Sequence, residues 1–105
     1  MQLKKEGEEM ELISTGRAGT LESGDISIVV EKSADAGIVI DLDSTVASLF
    51  GREIKEVITK TLSTYGFTNG VKVTALDKGA LNCTIIARVT AALYRAAGSA
   101  EFNWK

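Results

Sequence analysis

Residues 38–50 read Ile38-Val39-Ile40-Asp41-Leu42-Asp43-Ser44-Thr45-Val46-Ala47-Ser48-Leu49-Phe50, and two periodicities meet inside them. Ile38, Ile40 and Leu42 alternate with Val39 and Asp41, the period of a strand with one covered face. Asp43-Ser44-Thr45 then offers side-chain oxygens to the free N–H groups of a helix start. From Val46 onward the apolar residues Leu49, Phe50, Ile54, Val57, Ile58, Leu62 and Tyr65 recur three and four apart, which predicts one buried helical stripe. Arg52, Lys55, Glu56 and Lys60 fall on the other faces, and Gly66 suits the left-handed turn that ends a helix. Gly51 inside this helix costs about 1 kcal/mol against Ala, which suggests a close backbone approach there.

Working outward, Ile26, Ile28 and Val30 alternate with Ser27, Val29 and Glu31 as another strand. The short run Ala18 to Leu21 is positioned to pair with it across Glu22-Ser23-Gly24-Asp25, which has turn chemistry. Ser33 to Gly37 is a second turn. Downstream, Asn69-Gly70 reverses the chain, Val71, Val73 and Ala75 alternate with Lys72 and Thr74, and Asp77-Lys78-Gly79 ends that strand. Residues 80–97 contain the β-branched run Thr84-Ile85-Ile86, yet Ile85, Val89, Ala92, Leu93 and Ala96 keep helical spacing among many alanines, so a helix is expected, closed by Gly98. The predicted order is β-β-β-α-β-α. This is a small α+β domain with an antiparallel or mixed sheet and two helices packed on one face. Residues 1–16, with Lys4, Lys5, Glu6, Glu8, Glu9 and Glu11, read as a flexible acidic N-terminal arm, and residues 17–105 as the domain. Phe102 and Trp104 in the tail are expected to pack back on it.

The chain has 105 residues, 45% hydrophobic and 25% charged, which is one globular domain with a modest core. The net charge of −2 supplies no strong positive field for a phosphate backbone, which argues against a nucleic-acid binder. Histidine is absent, which excludes a Ser-His-Asp or Cys-His catalytic set and an HExxH zinc site. One cysteine, Cys83, permits no intrachain disulfide and fits a reducing compartment. No apolar run approaches the length of a membrane span, and the acidic N-terminus does not read as a signal peptide, so a cytoplasmic protein is expected.

Few reagents remain. Asp41 and Asp43 share a strand face and have the chemistry for a cation or for acid–base work, but they read more simply as a solvated strand end leading into a helix cap. Cys83 lies among Leu81, Ile85 and Ile86 with no cation beside it in sequence, which predicts a buried structural thiol. None of the ten glycines forms a phosphate-binding GxGxxG or Walker pattern. Ser23 stands at the tip of the hairpin, between Glu22 and Gly24. With no base nearby it is a poor nucleophile, but it is well placed to be modified by another enzyme. Ordinary turn chemistry is the competing reading of the same residues.

The run Ala18-Gly19-Thr20-Leu21-Glu22-Ser23-Gly24-Asp25 closely resembles the attachment motif of citrate lyase acyl carrier proteins, the γ subunits of that enzyme. Leu49-Phe50-Gly51 with its helix resembles the family's central helix. Asp77-Lys78-Gly79-Ala80-Leu81-Asn82-Cys83 resembles its DKGALDC stretch, with Asn82 in place of the aspartate. Ala87-Arg88 and Ala91-Ala92-Leu93-Tyr94-Arg95-Ala96 resemble its final helix. The resemblance runs through residues 17–105 in order, and the arm before it is longer than in the family.

The resemblance implies a non-catalytic carrier subunit whose Ser23 bears covalent phosphoribosyl-dephospho-CoA. The arm would carry acetyl and citryl thioesters between the alpha (acyl transferase) and beta (citryl lyase) subunits, cleaving citrate to oxaloacetate and acetate. A dedicated prosthetic-group transferase would attach the arm, with Glu22, Gly24 and Asp25 helping it recognise the turn. A tethered acyl group raises its effective concentration at each active site, and a carrier of this kind needs no acid, base or metal of its own. The acyl carrier of malonate decarboxylase is the neighbouring alternative. An unmodified interaction or ligand-binding domain, in which Ser23→Ala is silent, is the alternative from another class.

Overall fold

The computed structural model describes residues 11–98. Its elements follow the expected order: β1 (Gly16–Ala18), β2 (Ile26–Lys32), β3 (Ile38–Ser44), α1 (Ala47–Thr64), β4 (Val71–Asp77) and α2 (Asn82–Ala96). The strands form one sheet in the order β1-β2-β4-β3. β2 runs antiparallel to β1 and β4, whereas β3 runs parallel to β4, so the sheet is mixed. A parallel neighbour cannot be reached through a tight turn, and α1 supplies the crossover from β3 to β4.

Register puts the apolar residues on one face. Ile28 lies opposite Ala75 and Val30 opposite Val73, while Ile38 and Ile40 lie opposite Val71 and Val73. Period-two alternation therefore aims the buried residues of β2 and β4 to one side, together with the partly buried Ile38, Ile40 and Leu42 of β3. α1 covers that side with Ile54, Ile58 and Leu62, and α2 with Ile85, Val89, Ala92, Leu93 and Ala96. The helices also meet edge to face through Tyr65 and Tyr94, with ring centroids 5.7 Å apart. Both helices lie on one face, as the sequence predicts. No helix among the described residues is long and apolar enough to cross a membrane.

Several local expectations are corrected. The first strand is Gly16–Ala18 rather than Ala18 to Leu21, because Gly19 takes φ +95°, a conformation that ends the pairing with Ile28. Leu49 and Phe50 are not part of the buried stripe: they are 78% and 49% exposed, and burial on α1 begins at Ile54, below the helix's projecting first turns. The helix cap is Val46, whose side chain makes no capping bond. Ser44 acts from two residues upstream instead, its Oγ accepting the Val46 N–H at 3.1 Å.

The close approach expected at Gly51 occurs at Gly16. A Cβ at Gly51 would meet only Ala47 and Leu42 side chains, at 3.7 and 3.9 Å. A Cβ at Gly16 would overlap the Ala92 carbonyl oxygen and the Ala96 nitrogen, so β1 lies directly against the backbone of α2. The flexible-arm boundary at residue 16 also moves. Leu12 is buried in the core, and the Ile13 and Ser14 N–H groups both donate to the Ala96 carbonyl at 2.9 Å. These contacts cap the C-terminal end of α2, whose last carbonyls have no partner within the helix. The rest of the arm, residues 1–10, and the tail with Phe102 and Trp104 lie outside the described residues.

Candidate functional site

Ser23 is exposed at one end of the sheet, where the β1–β2 loop, the β3–α1 junction and the β4–α2 loop come together. Glu22-Ser23-Gly24-Asp25 is a closed β-turn, with the Asp25 N–H donating to the Glu22 carbonyl at 3.0 Å. Gly24 occupies its third position at φ +84°, which a side chain would strain. A Cβ built there meets no atom within 4 Å, so the turn is uncovered beside the serine.

The turn is held from outside as well. The Gly24 N–H donates to the Lys78 carbonyl at 2.7 Å, and the Lys78 N–H donates to the Asp25 carbonyl at 2.9 Å. The β4–α2 loop thus continues the ladder in which Ile26 faces Asp77. Asp77, fully buried, fixes that loop in turn. Its Oδ2 accepts the Ser44 hydroxyl at 2.7 Å, its Oδ1 accepts the Ala80 N–H at 2.9 Å, and its carbonyl accepts the Thr45 N–H at 3.2 Å. The carboxylate therefore ties the β3–α1 junction to the β4–α2 loop, with both of its oxygens hydrogen-bonded.

Asp25 is the second organising carboxylate. Arg88 of α2 grips it with two parallel bonds, Nε to Oδ1 at 2.9 Å and Nη2 to Oδ2 at 3.0 Å. The Thr20 N–H and hydroxyl donate to Oδ2 at 3.1 and 2.8 Å, and the Ile26 N–H donates to Oδ1 at 2.7 Å. The Arg88 hydrogen bonds hold the carboxyl well below the usual carboxylate range, against the opposing effect of burial, with the Thr20 and Ile26 bonds adding to the lowering. Among the residues named from sequence, Glu22, Ser23 and Gly24 are exposed, while Asp25 is turned into the structure. Sequence reasoning missed Arg88 and Thr20 as the residues that fix the turn. Thr20, five residues before Asp25, was readable as a local hydroxyl partner. Arg88, 63 residues away, carried no such signal.

The other candidates sit apart. Asp41 and Asp43 are exposed on the sheet face away from the helices, opposite Thr74 and Leu76. The described residues contain no group of three or more His, Cys, Asp or Glu able to hold a metal ion. Cys83 is exposed rather than buried, because it lies on the side of α2 opposite Ile85 and Val89. The apolar neighbours in sequence that suggested burial, Leu81 and Ile86, are themselves exposed.

The site is thus an exposed serine on a turn fixed by a mixed sheet and by α2. The family model described as malonate decarboxylase delta subunit, an acyl carrier family, matches residues 13–96. A crystal structure of a Pseudomonas malonate decarboxylase hetero-tetramer in complex with malonate contains a chain of the same fold. The TM-score is 0.67 at 12% identity, over 84% of this chain and 89% of that one. The curated relatives narrow the assignment. A citrate lyase acyl carrier protein from Streptococcus uberis is 54% identical over 96 residues, covering 91% of this chain and 93% of the relative. One from Fusobacterium nucleatum is 47% identical over 95 residues, covering 90% and 100%. One from Lactobacillus acidophilus is 53% identical over 87 residues, covering 83% and 88%. The chain belongs to the citrate lyase acyl carrier protein family.

Proposed function

We propose that this protein is the non-catalytic acyl carrier subunit of a citrate lyase, with Ser23 as the attachment point of phosphoribosyl-dephospho-CoA. The observation that carries the reading is the Ser23 turn, exposed to solvent yet tied to the β4–α2 loop and to α2. The residues fit the group: the serine is exposed, and a Cβ at the adjoining Gly24 would meet no atom within 4 Å, so the turn is uncovered on that side. When bound, the arm supplies a terminal thiol that holds an acyl group as a thioester. The chain's own contribution is geometric. Asp25, Arg88 and Lys78 keep the turn in one conformation, so the serine meets the modifying transferase without first paying an ordering entropy. Exposed Glu22 gives that transferase a charged feature to recognise, while Asp25 serves it through the shape of the turn. The helices and sheet remain outside a partner's cleft, and the tether converts encounters with the alpha and beta subunits into intramolecular ones. A cytoplasmic location is part of this proposal, in keeping with a lone cysteine left as a free thiol.

The test is the intact mass of the protein produced with the whole lyase gene cluster, followed by peptide mapping. The expected result is an increment of phosphoribosyl-dephospho-CoA on the peptide containing Ser23, absent in Ser23→Ala. An unmodified mass, with the transferase active on a known carrier, overturns the reading in favour of an unmodified interaction domain. The family model and the shared fold with a malonate decarboxylase chain favour one second reading, the carrier of that enzyme. Co-purification with decarboxylase subunits in place of alpha and beta lyase subunits would establish it.

A further inference from the structure

Lys78 is the residue directly across from the attachment turn. The two ladder bonds described above join its backbone to Gly24 and Asp25, the two residues that follow Ser23. Its side chain is exposed, and its ammonium has no ion-pair or hydrogen-bond partner among the described residues. The other cation at the turn, Arg88, is committed to Asp25 through Nε and Nη2. A group joined to Ser23 through phosphate would bring a negative charge beside exposed Glu22, and Lys78 is the uncommitted positive charge on the segment paired with that turn. Paired strands lie about 5 Å apart, and a lysine stem extends about 6 Å from Cα on ordinary bond lengths, so the stem is long enough to span the gap between the two paired segments. Its flexible stem and compact charge suit a phosphate oxygen whose position is set by the serine rather than by the protein.

We propose, building on the carrier reading, that Lys78 is the positioning residue for the phosphate at Ser23, pairing with it as the group is transferred and after the phosphodiester has formed. No bond to Lys78 forms or breaks: the Ser23 oxygen–phosphorus bond forms as the phosphorus–oxygen bond to the leaving phosphate of a phosphoanhydride donor breaks, the serine proton passes to the transferase, and the Lys78 ammonium neutralises the charge that enters beside Glu22.

The full-length bare carrier is tested with the prosthetic-group transferase and its donor, using wild type, Lys78→Gln and Lys78→Arg. An exposed charge pair with phosphate supports an expected fall of about 3- to 10-fold in transferase kcat/KM for Lys78→Gln, with most of it returned by Lys78→Arg. The wild-type rate falls more steeply with added salt than the Lys78→Gln rate. In the loaded protein the phosphorus NMR resonance of the phosphodiester shifts in Lys78→Gln and returns toward wild type in Lys78→Arg. Unchanged amide resonances of Gly24 and Asp25 show that the turn persists, since its bonds use the Lys78 backbone. Equal rates and an unshifted resonance in Lys78→Gln overturn the proposal while leaving the carrier reading intact. Arg behaving like Gln overturns it as well. A wild-type chain that is not modified at all overturns the carrier reading on which it rests.

Discussion

Replacing Arg88 by Ala removes the cation that grips Asp25 and tests whether the turn is held electrostatically. The Asp25 side chain is 13% exposed and that of Arg88 40% exposed, so the pair sits at the margin of solvent. A buried bidentate pair is worth several kcal/mol, but water screens this one and can replace the lost donors. The Thr20 and Ile26 bonds remain, so Asp25 is not orphaned. We expect Arg88→Ala to cost about 1–2 kcal/mol in urea unfolding, and a double-mutant cycle with Asp25→Ala to give a coupling of about 1 kcal/mol.

The pH profile supplies an independent sign. The folded carboxyl titrates below its unfolded value because of Arg88 first, so the unfolded state binds the proton more readily. This contribution is complete above the unfolded value of about 4 and is lost as the pH falls from there through the lower folded value. Wild type should therefore lose stability on acidification below about pH 4 more steeply than Arg88→Ala. Zero coupling, together with parallel acid slopes for the two proteins, would refute the reasoning.

Gly51→Ala should stabilise the protein by about 1 kcal/mol, raising Tm by about 4–8 °C, since its Cβ meets only ordinary contacts; a fall in the calorimetric midpoint would show a packing constraint there. Gly16→Ala should do the reverse, costing about 2–3 kcal/mol in chemical denaturation as β1 is pushed off α2. Cys83 should react with a thiol-specific disulfide reagent in the folded protein about as fast as in the denatured one, because it is exposed. Strong protection in the native state would contradict its placement on α2.

The fold was legible wherever a local period was strong. Ile26–Val30 and Val71–Ala75 alternated cleanly, and both strands are present with Ile28 and Val30 facing Ala75 and Val73. The spacing of Ile85, Val89, Ala92 and Ala96 correctly outweighed the β-branched run before it. Periodicity could not say where a helix leaves its neighbours, so Leu49 and Phe50 were placed in a stripe that they overhang. Nor could it report backbone proximity: Gly16 and Gly51 look alike in sequence, and only the approach of α2 separates them. At the candidate site, the turn at Glu22-Ser23-Gly24-Asp25 and the exposure of Ser23 were readable from local chemistry. The role of Asp25 was not, because an acidic residue beside an exposed serine reads as surface charge until Arg88 is seen opposite it. The same limit applied to Asp77, which reads as a turn residue in sequence and is buried between the β3–α1 junction and the β4–α2 loop.

The threading of β4 between β2 and β3 has a consequence for the newborn chain. β2 and β3 leave the ribosome in succession but have no ladder in common, so they cannot form their final sheet until β4 emerges between them. The serine loop matures later still, since Lys78 and Arg88, which pin it, lie beyond β4 in sequence. A truncated polypeptide ending within α1 would contain Ser23 and its flanking motif, but in a loose segment without either clasp. A transferase that reads the shape of the turn would thereby distinguish finished molecules from fragments. On the proposed reading, a prosthetic group would then go only to chains whose translation and folding are complete.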